Sequence, residues 1–350
     1  MTRVPAAFAI PGDIATVTGG FIYERRLLEG LRAEGREVAH LRLGAGFPEP
    51  TPAEMADAVA QMAAVAPDVP LIVDGLVFGA VETAGLSTVR APVVAMIHHP
   101  LALEAGLDAA RRRLLFARER DNLALAAHVV VNSAHTAEVL VRDYGVPPVR
   151  ISQAPPGVDR PDGPAVPSVP PLVLSVGIRH PRKGHDVLLQ ALVRIGDLDW
   201  QAVVVGSDYH AGHAAELDAL RRALGLEARV QFAGLVPEAE LGRLYRAATV
   251  FALASRYEGY GMAFAEALVH GLPVVACRAG AVPDTVPETA GLLVPPEDPG
   301  AFAAALRALI EDEGRRATFA RGAAQAGARL PHWSDTVAVM SAVLDRLAAR

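Results

Sequence analysis

Short runs rich in valine, isoleucine and leucine alternate along the chain with longer segments in which apolar residues recur at the helical period. Apolar runs of this kind are typical of parallel strands buried on both faces and covered by helices. The first half predicts strands near residues 4–11, 37–43, 70–74, 92–98, 128–132 and 149–153, and helices near 20–34, 52–65, 107–126 and 134–145. The second half predicts strands near 172–177, 201–206, 229–233, 250–254, 273–277 and 291–294, and closing helices near 299–312, 315–329 and 333–349. The pattern therefore predicts an α/β protein with two doubly wound, Rossmann-like parallel sheets.

A proline-rich segment separates the two halves. Residues 155–171 contain seven prolines and no hydrophobic period, which is typical of a linker. We expect a first domain over 1–157, a linker over 158–170 and a second domain over 171–332, with a final helix over 333–350 packing back on the first domain. Two such domains facing each other would leave a cleft lined by the carboxyl ends of both sheets, where ligands of open parallel sheets bind.

Composition excludes several classes of protein. Hydrophobic residues make up 51% and charged residues 21% of the 350, so a folded globular protein is expected. The formal net charge of -6 and the lack of a long basic run argue against a nucleic-acid partner. No run of 18 apolar residues occurs, and the first residues make a poor secretory signal. The single cysteine, Cys277, lies in an apolar run, so we expect it to be buried in a reduced, cytoplasmic protein.

A basic loop opens the second half. The predicted strand 172–177 is followed by "IRHPRKGHD" and by a helix from about Asp186. Arg182 and Lys183 thus lie at the carboxyl end of a strand and beside a helix amino terminus, where amide donors and the helix dipole favour an anion. A guanidinium and an ammonium there would bind a pyrophosphate, although a solvated basic turn explains this loop alone equally well.

Two glutamates stand in an apolar segment further along. The stretch "RYEGYGMAFAEALV" contains Glu258 and Glu266, with Gly259 and Gly261 after the first of them. A helix is expected from about Gly261 to Val269. Eight residues is close to two helical turns, so the carboxylates would lie about 12 Å apart near one face of the element. Carboxylates in an apolar setting need hydrogen-bond donors, which favours ligand binding over a solvated surface. Glycines here would let a ligand approach the backbone.

Candidate residues also follow two strands of the first half. Gly19 and Gly20 precede the first helix, without the three-glycine spacing of a dinucleotide fingerprint. The predicted strand 92–98 ends at the tandem His98 and His99, again at a carboxyl end. With no third ligand at a sensible spacing, a metal site is not predicted, and no cofactor is expected.

Together these segments resemble the family-four retaining glycosyltransferases of the GT-B architecture, in which two Rossmann-like domains face each other across a cleft. The resemblance covers nearly the whole chain. It is carried by "SRYEGYGMAFAEALVHGLPVVACRAGAVPD", "GLLVPPEDP", "SVGIRHPRKGHDVLLQAL", "VVVNSAHTAEVL" and "ISQAPPGVD". The first motif is highly specific, and the order of the others along the chain makes the set specific.

The resemblance implies roles for the charged residues. In such enzymes the first glutamate contacts hydroxyls of the donor sugar and the second holds the ribose hydroxyls, which here implies Glu258 and Glu266. Arg182 and Lys183 would bind the diphosphate. Many relatives have an arginine where this chain has Ile178, so the basic contact is expected to have moved to Arg182.

The resemblance also places residues of the first domain at the donor. His98 would lie near the reacting sugar, with His99 as the alternative, so the implied catalytic residues are His98, Glu258, Arg182 and Lys183. The further implied donor-binding residues are Gly19, Gly20, Gly234, Val236, Gly259, Tyr260, Gly261 and Met262.

The implied activity is hexosyl transfer with retention and without a metal. The donor would be a nucleotide-diphosphate sugar, UDP before GDP or ADP, and the acceptor a lipid, a saccharide or a small molecule. Charge that develops on the leaving diphosphate would be stabilised by preorganised cations in place of a metal. A nucleotide-sugar epimerase or phosphorylase on the same scaffold, or a non-catalytic binding protein, are the alternatives.

One segment bears on the acceptor. Residues 107–120 predict a helix with five arginines in the domain that binds acceptors in this family: Arg111, Arg112, Arg113, Arg118 and Arg120. A basic amphipathic helix could lie on an anionic membrane, which would suit a lipid acceptor and a peripheral position on the inner face of the membrane. A solvated helix face, partly balanced by Glu119 and Asp121, is the alternative.

Overall fold

Each predicted strand forms within a residue or two of its expected bounds, and the apolar runs of the central strands are buried on both faces of a parallel sheet. A computed structural model describes residues 3–208 and 211–348 of the chain. The chain divides into two compact units, Met1–Gly157 with Pro331–Arg350, and Val158–Leu330. Each unit contains one six-stranded parallel sheet, which confirms the predicted α/β class with its two doubly wound sheets.

The sheet of the first unit has the order β2-β1-β3-β4-β5-β6. Its strands are β1 (Ala6–Pro11), β2 (Val38–Leu43), β3 (Leu71–Asp74), β4 (Val93–Ile97), β5 (His128–Val131) and β6 (Ile151–Gln153). The chain adds β2 on one side of β1 and every later strand on the other side. The direction of winding therefore reverses between β1 and β3, and ligands of such sheets bind where the carboxyl ends flank this reversal.

Helices cover both faces of this sheet. They are α1 (Gly19–Ala33), α2 (Pro52–Ala63), α3 (Gly75–Ala80), α4 (Thr83–Leu86), α5 (Ala109–Leu125), α6 (Ala134–Tyr144) and the terminal α14 (Trp333–Ala348). Alternate residues of β1 point into the two apolar cores, one on each face of the sheet. Ala7 and Ala9 pack in one core, and Phe8 and Ile10 pack in the other. Helix α14 packs on α1 in the second of these cores and is tied by the fully buried guanidinium of Arg36, which donates to an Asp345 oxygen at 2.7 Å.

The sheet of the second unit has the order β12-β11-β10-β7-β8-β9. Its strands are β7 (Leu172–Val176), β8 (Gln201–Val205), β9 (Val230–Gly234), β10 (Val250–Leu253), β11 (Val274–Cys277) and β12 (Gly291–Val294). Winding reverses between β7 and β10, so the segments that follow these two strands are the expected ligand-binding position. Cys277 at the end of β11 is buried, as predicted.

Helices cover this second sheet as well. They are α7 (His185–Val193), α8 (Ala211–Ala223), α9 (Glu238–Ala247), α10 (Met262–Val269), α11 (Val282–Thr285), α12 (Pro299–Glu311) and α13 (Glu313–Gly327). Two short helices of the first unit, α3 and α4, were not predicted, because four to six residues are too few to show a helical period.

The segment 158–170, predicted to be a linker, lies on the second unit. The amides of Val166 and Ser168 donate to main-chain oxygens at the end of α9, at 2.8 and 3.0 Å. The Arg160 guanidinium donates to the main-chain oxygens of Gly327, the last residue of α13, and Leu330, which follows it. Prolines break the hydrophobic period of this segment, but its remaining amides and side chains still find partners on the neighbouring helices.

Within the described ranges, no helix combines the length and the apolar character needed to cross a bilayer.

Candidate functional site

The turn after β7 carries Arg182 and Lys183, as expected. It contains a short 3₁₀ segment, Pro181–Lys183, capped by His180, whose Nδ1 accepts the amide of Arg182 at 3.0 Å. Gly184 joins this segment to α7 with a φ of 64°. A Cβ on Gly184 would lie 2.0 Å from the main-chain oxygen of Ala254, so only glycine lets the turn lie directly against the end of β10.

Glu258 lies against both basic side chains. Its Oε1 accepts from Lys183 Nζ and from Ser255 Oγ, each at 2.6 Å, and its Oε2 accepts from Arg182 Nη1 at 3.3 Å. The residue is only 5% exposed. Burial alone would raise the pKa of Glu258, but the charges of Lys183 and Arg182 and the hydrogen bonds from Lys183 and Ser255 lower it to about 2. Glu258 is therefore an ionised carboxylate held by two cations.

Arg256 fixes the turn that presents these cations. Its amide donates to the main-chain oxygen of Arg182 at 2.7 Å, and its guanidinium contacts the main-chain oxygen of Pro181. The same guanidinium binds both carboxylate oxygens of Asp186, at 3.0 and 2.8 Å, and pairs with Glu297. These contacts hold the turn after β7 to the start of the segment after β10.

The residues after Glu258 form a tight, irregular turn rather than the start of a helix. Gly261 has a φ of 90°, and a Cβ there would lie 2.6 Å from the Phe264 ring. Helix α10 begins at Met262, within one residue of its expected start near Gly261, so Glu258 lies before it. The prediction that Glu258 and Glu266 share one face of one helix is therefore wrong. Tyr260 is buried against Val158, so it can offer a ligand its backbone but not its ring.

Glu266 lies one turn into α10. Its Oε2 accepts from Tyr245 Oη at 2.7 Å, and the Tyr245 ring stacks on His270 with centroids 4.7 Å apart. Burial raises the pKa of Glu266, the Tyr245 hydrogen bond opposes this rise, and the charges of Asp159 and Glu238 add to it. No hydrogen bond in the described part of the chain joins Glu266 to the cluster of Glu258, Lys183 and Arg182.

The two remaining predicted positions of this unit lie after β9. Gly234 ends that strand with a φ of 65° and has open space where a Cβ would stand. Val236 follows in the loop and packs against the apolar core on one face of the sheet. Both lie at the same edge of the sheet as the turn after β7, because all the strands are parallel.

In the first unit, Gly19 and Gly20 open α1, and Gly20 lies against His98. A Cβ on Gly20 would be 3.7 Å from the Cδ2 atom of the His98 ring. The His98 side chain keeps 19% of its surface exposed, and its ring meets Tyr23 edge-on with centroids 5.0 Å apart. His99 turns away, with its Nε2 3.1 Å from an Oε atom of Glu104. Gly19 and Gly20 follow β1, where winding reverses between β1 and β3, and His98 and His99 follow β4, the strand next to β3.

Two buried carboxyls that were not predicted adjoin His98. Glu24 of α1 and Asp74 at the end of β3 are 1% and 3% exposed. Potential ligand atoms of Glu24, Asp74 and His98 all lie within 4.8 Å of one another. The spacing of ligands along the sequence could not show this cluster, because Glu24 and Asp74 lie 74 and 24 residues before His98 and the sheet brings them together.

The predicted basic helix forms as α5, but its arginines do not share one exposed face. Arg111 donates to the main-chain oxygen of Pro48 at 2.9 Å, and Arg118 donates to that of Ala80 at 2.8 Å. Arg120 pairs with its neighbour Asp121. Glu119, which was expected to balance the solvated charge, is fully buried.

Comparisons with known proteins agree with this architecture. Residues 19–160 match the family described as Glycosyltransferase Family 4, and residues 170–312 match the family described as Glycosyl transferases group 1. A D-inositol 3-phosphate glycosyltransferase of Xylanimonas cellulosilytica is 36% identical over 240 residues, which are 63% of this chain and 57% of that protein. Its namesake from Acidothermus cellulolyticus is 35% identical over 66% of this chain and 56% of that protein. The chain thus spans little more than half the length of these relatives.

Solved structures give the fold over the full length. Sucrose-phosphate synthase from Thermosynechococcus elongatus matches with a TM-score of 0.83 and 24% identity, covering 99% of this chain and all of that one. Anabaena HepE, crystallised with UDP and glucose, matches with a TM-score of 0.79 and 18% identity over 98% of this chain and 100% of that one. The chain therefore belongs to the glycosyltransferases of GT-B fold, with a Glycosyltransferase Family 4 domain followed by a Glycosyl transferases group 1 domain.

Proposed function

We propose that this protein transfers a sugar from a nucleoside-diphosphate sugar to an acceptor hydroxyl, with retention of anomeric configuration. One observation carries the proposal: two cations, Arg182 and Lys183, converge on the buried carboxylate of Glu258 where winding reverses in the second sheet. Such a site can bind both ends of a sugar diphosphate. The cations bind the anionic diphosphate, and the carboxylate accepts hydrogen bonds from the sugar hydroxyls.

Arg182 and Lys183 act on the leaving group. Cleavage of the bond between the anomeric carbon and the diphosphate leaves negative charge on the phosphate oxygens, and fixed cations stabilise that charge as it develops. Both cations now contact Glu258, so the incoming diphosphate takes over this charge and frees an oxygen of Glu258 for the sugar hydroxyls. With two cations in this role, the proposal needs no metal.

Glu266 holds the ribose. Its Oε2 already accepts from Tyr245, which leaves the other oxygen to accept from a ribose hydroxyl. The main chain from Gly259 to Met262 and from Gly234 to Val236 supplies the remaining contacts to sugar, phosphate and base. In the first unit the proposal assigns Gly19, Gly20 and His98 to the donor, and His98 rather than His99 because His99 is turned to Glu104.

UDP is the proposed nucleotide, with GDP or ADP as the alternatives. Support comes from the structural neighbour HepE, whose crystals hold UDP with glucose, although at 18% identity that likeness shows the fold alone. The relatives' name supports a small polyol phosphate as one acceptor to test beside saccharides and lipids. Three of the five α5 arginines, Arg111, Arg112 and Arg118, donate to main-chain oxygens, which weakens the case for membrane contact through that helix.

Donor consumption tests the proposal. UDP-, GDP- and ADP-sugars are incubated with the protein and with inositol phosphates, sugars or lipid acceptors, and released nucleotide is measured together with the anomeric configuration of the product. We expect one nucleotide to be released only with an acceptor, at a rate that falls about a hundred- to a thousandfold in Lys183→Ala. Arg307→Ala is the matched control, because Arg307 pairs with Asp197 and Glu311 on an exposed surface.

Three outcomes would contradict the proposal. Turnover of a donor without any acceptor would indicate an epimerase, and a requirement for inorganic phosphate would indicate a phosphorylase. Binding of nucleotide sugars without consumption in any combination would indicate a binding protein.

A further inference from the structure

We propose that Glu24, Asp74 and His98 form a binding site for one divalent transition-metal ion in the first unit. The three side chains come from different elements: Glu24 from α1, Asp74 from the end of β3 and His98 from the residue after β4. An ion held by them ties these elements together at the carboxyl edge of the sheet. The site does not depend on the proposed function, and it departs from the expectation, drawn from spacing along the sequence, that no metal site is present.

The ligand atoms are close enough to share one ion. One potential ligand atom from each of the three side chains lies within 4.8 Å of the other two. Glu24 Oε1 and His98 Nε2 are 3.9 Å apart. Atoms that bind one ion at about 2.1 Å are separated by about 3 to 3.5 Å, so an inward movement of about 1 Å brings all three to bonding distance. The packed elements therefore already place the three ligands around one point.

Two of these atoms lack any other partner. Glu24 is 1% exposed, and neither Glu24 Oε1 nor His98 Nε2 has a hydrogen-bond partner among the described residues. At 3.9 Å the two atoms are too far apart to form a hydrogen bond with each other. A buried polar atom without a partner costs free energy. An ion placed between the two atoms satisfies both at once.

The charge of the cluster also favours a cation. Asp74 is 3% exposed, and like Glu24 it has no arginine or lysine as an ion-pair partner within residues 3–208 and 211–348. The arginine that follows Glu24, Arg25, donates instead to the main-chain oxygen of Ile14. Buried carboxylates are normally paired with a cation or bound to a metal ion. A divalent ion neutralises both carboxylates, and the imidazole completes the set as a neutral ligand.

Neighbouring groups orient two of the ligands. Asp74 Oδ1 accepts the amides of Leu76 and Val77, at 2.9 and 3.4 Å, which leaves Oδ2 for the ion. Asn132 Nδ2 lies 3.5 Å from His98 Nδ1, and Asn132 Oδ1 has no partner in the described part of the chain. The amide turned by 180° fills the same volume and brings Oδ1 to Nδ1. Nδ1 then carries the ring proton and donates to Asn132, as metal-bound histidines usually do, and Nε2 is free to bind the ion.

The ligand set indicates the kind of ion. Two carboxylate oxygens and one imidazole nitrogen suit Zn²⁺ or Mn²⁺, whereas Mg²⁺ prefers oxygen ligands alone. The His98 side chain is 19% exposed, which gives the ion a path from solvent.

Three protein ligands leave one position open on a four-coordinate ion. Because Nε2 of His98 is then taken by the ion, a donor hydroxyl that reaches this histidine binds at the open position instead. This last step rests on the proposed function, which assigns His98 to the donor.

Metal titration tests the site without any substrate. The whole chain is cleared of metal with a chelator and titrated with Zn²⁺, Mn²⁺ or Mg²⁺ in a calorimeter. We expect one equivalent of Zn²⁺ or Mn²⁺ to bind, and Mg²⁺ to bind about tenfold or more weakly. Zn²⁺ at about a hundred times its dissociation constant should raise the melting temperature by about 5–10 °C, because the ion binds only the folded unit.

Matched substitutions locate the ion. Glu24→Gln and Asp74→Asn each remove one charged ligand with little change in volume, so each should weaken Zn²⁺ binding about a hundredfold or more. Asn132→Leu removes the acceptor that orients the ring and should weaken it about tenfold or more. Glu119→Gln is the control, because Glu119 is a buried carboxyl of the same unit whose oxygen accepts the Leu101 amide at 3.2 Å. This control should bind Zn²⁺ as the wild type does.

The site is overturned if the wild type binds neither Zn²⁺ nor Mn²⁺, a result that requires no variant to fold. A proton would then be left to neutralise the buried carboxyls. Undiminished Zn²⁺ binding by folded Glu24→Gln or Asp74→Asn would overturn the site as well, because the ion would then lie elsewhere on the chain.

Turnover separates the site from the proposed function. Donor consumption should fall about tenfold or more when the ion is removed, and it should return when one equivalent is restored. Turnover that is the same with and without the ion would overturn the donor contact. A wild type that binds the ion but consumes no donor would refute the proposed function, and the metal site would stand.

Discussion

Replacing Glu258 by glutamine should destabilise the empty protein by an amount that depends on pH. A pKa lowered from the ordinary 4.5 to about 2 means that the folded state favours the ionised carboxylate by about 3 kcal/mol, at about 1.4 kcal/mol per pH unit. Glutamine imitates the neutral form, so Glu258→Gln should lose about this much free energy of unfolding at pH 7. Because the folded pKa is lowered, the wild-type advantage is complete above pH 4.5 and disappears as pH falls towards 2.

Nucleotide should reverse part of this loss. The variant leaves Lys183 and Arg182 without their carboxylate partner, and the diphosphate of UDP supplies the missing negative charge. Saturating UDP should therefore stabilise Glu258→Gln more than it stabilises the wild type, while a UDP-sugar should lose its advantage over UDP because the acceptor for sugar hydroxyls is weakened.

Urea denaturation of both proteins between pH 3 and 8, with and without UDP, measures these differences. Glu119→Gln is the control with the opposite sign: burial raises the pKa of Glu119 to about 8, so a neutral replacement should cost little at pH 7. A Glu258→Gln protein as stable as the wild type at pH 7, or a deficit that does not shrink in acid, would refute the assignment of Glu258 as a charge held by two cations.

Three further substitutions test the supports of the site. Arg256→Lys cannot reproduce the bidentate contact that holds the turn after β7, so turnover should fall about tenfold in a steady-state assay; unchanged turnover would remove Arg256 from the account. Tyr245→Phe should weaken UDP binding about fivefold by calorimetry, because Glu266 loses a charge-assisted hydrogen bond that orients it; equal affinity would contradict the ribose role. Gly184→Ala should lower the free energy of unfolding, measured in urea, by about 3 kcal/mol, because a Cβ there meets the main chain of Ala254. Gly35 also has a positive φ but faces open space, so Gly35→Ala should lower the free energy of unfolding by about 1 kcal/mol. Equal losses would show that close packing does not explain Gly184.

The strands and the basic turn were predictable because each depends on local pattern. Apolar runs fix where strands begin and end, and their order fixes that Arg182 and Lys183 follow β7. What the pattern could not show is that these cations bond directly to Glu258, which is 75 residues further along and meets them only because β7 and β10 are neighbours in the sheet. The interpretation that puts Glu258 and Glu266 on one helix face failed because Glu258 lies in the turn before the helix, where Gly261 adopts a left-handed conformation.

Of the two carboxyls beside His98, one was predictable from local pattern and the other was not. Asp74 ends a buried strand at the carboxyl edge of the sheet, and the argument that selected His98 would have found it. Glu24 sits among charged residues of α1, where a solvated position is the ordinary expectation, and only the packing of α1 over the end of β3 shows that it is buried. Sequence patterns therefore predict residues at strand ends better than residues that reach the site from a covering helix.

Calorimetric titration of UDP tests the central claim most directly, because it asks whether the cations after β7 hold a diphosphate. The wild type should bind UDP, and the double variant Arg182→Ala, Lys183→Ala should bind it at least a hundredfold more weakly, since each lost charged hydrogen bond is worth about 1.5–3 kcal/mol. Equal UDP affinity in the two proteins, with both folded, would contradict the assignment of this site to the donor.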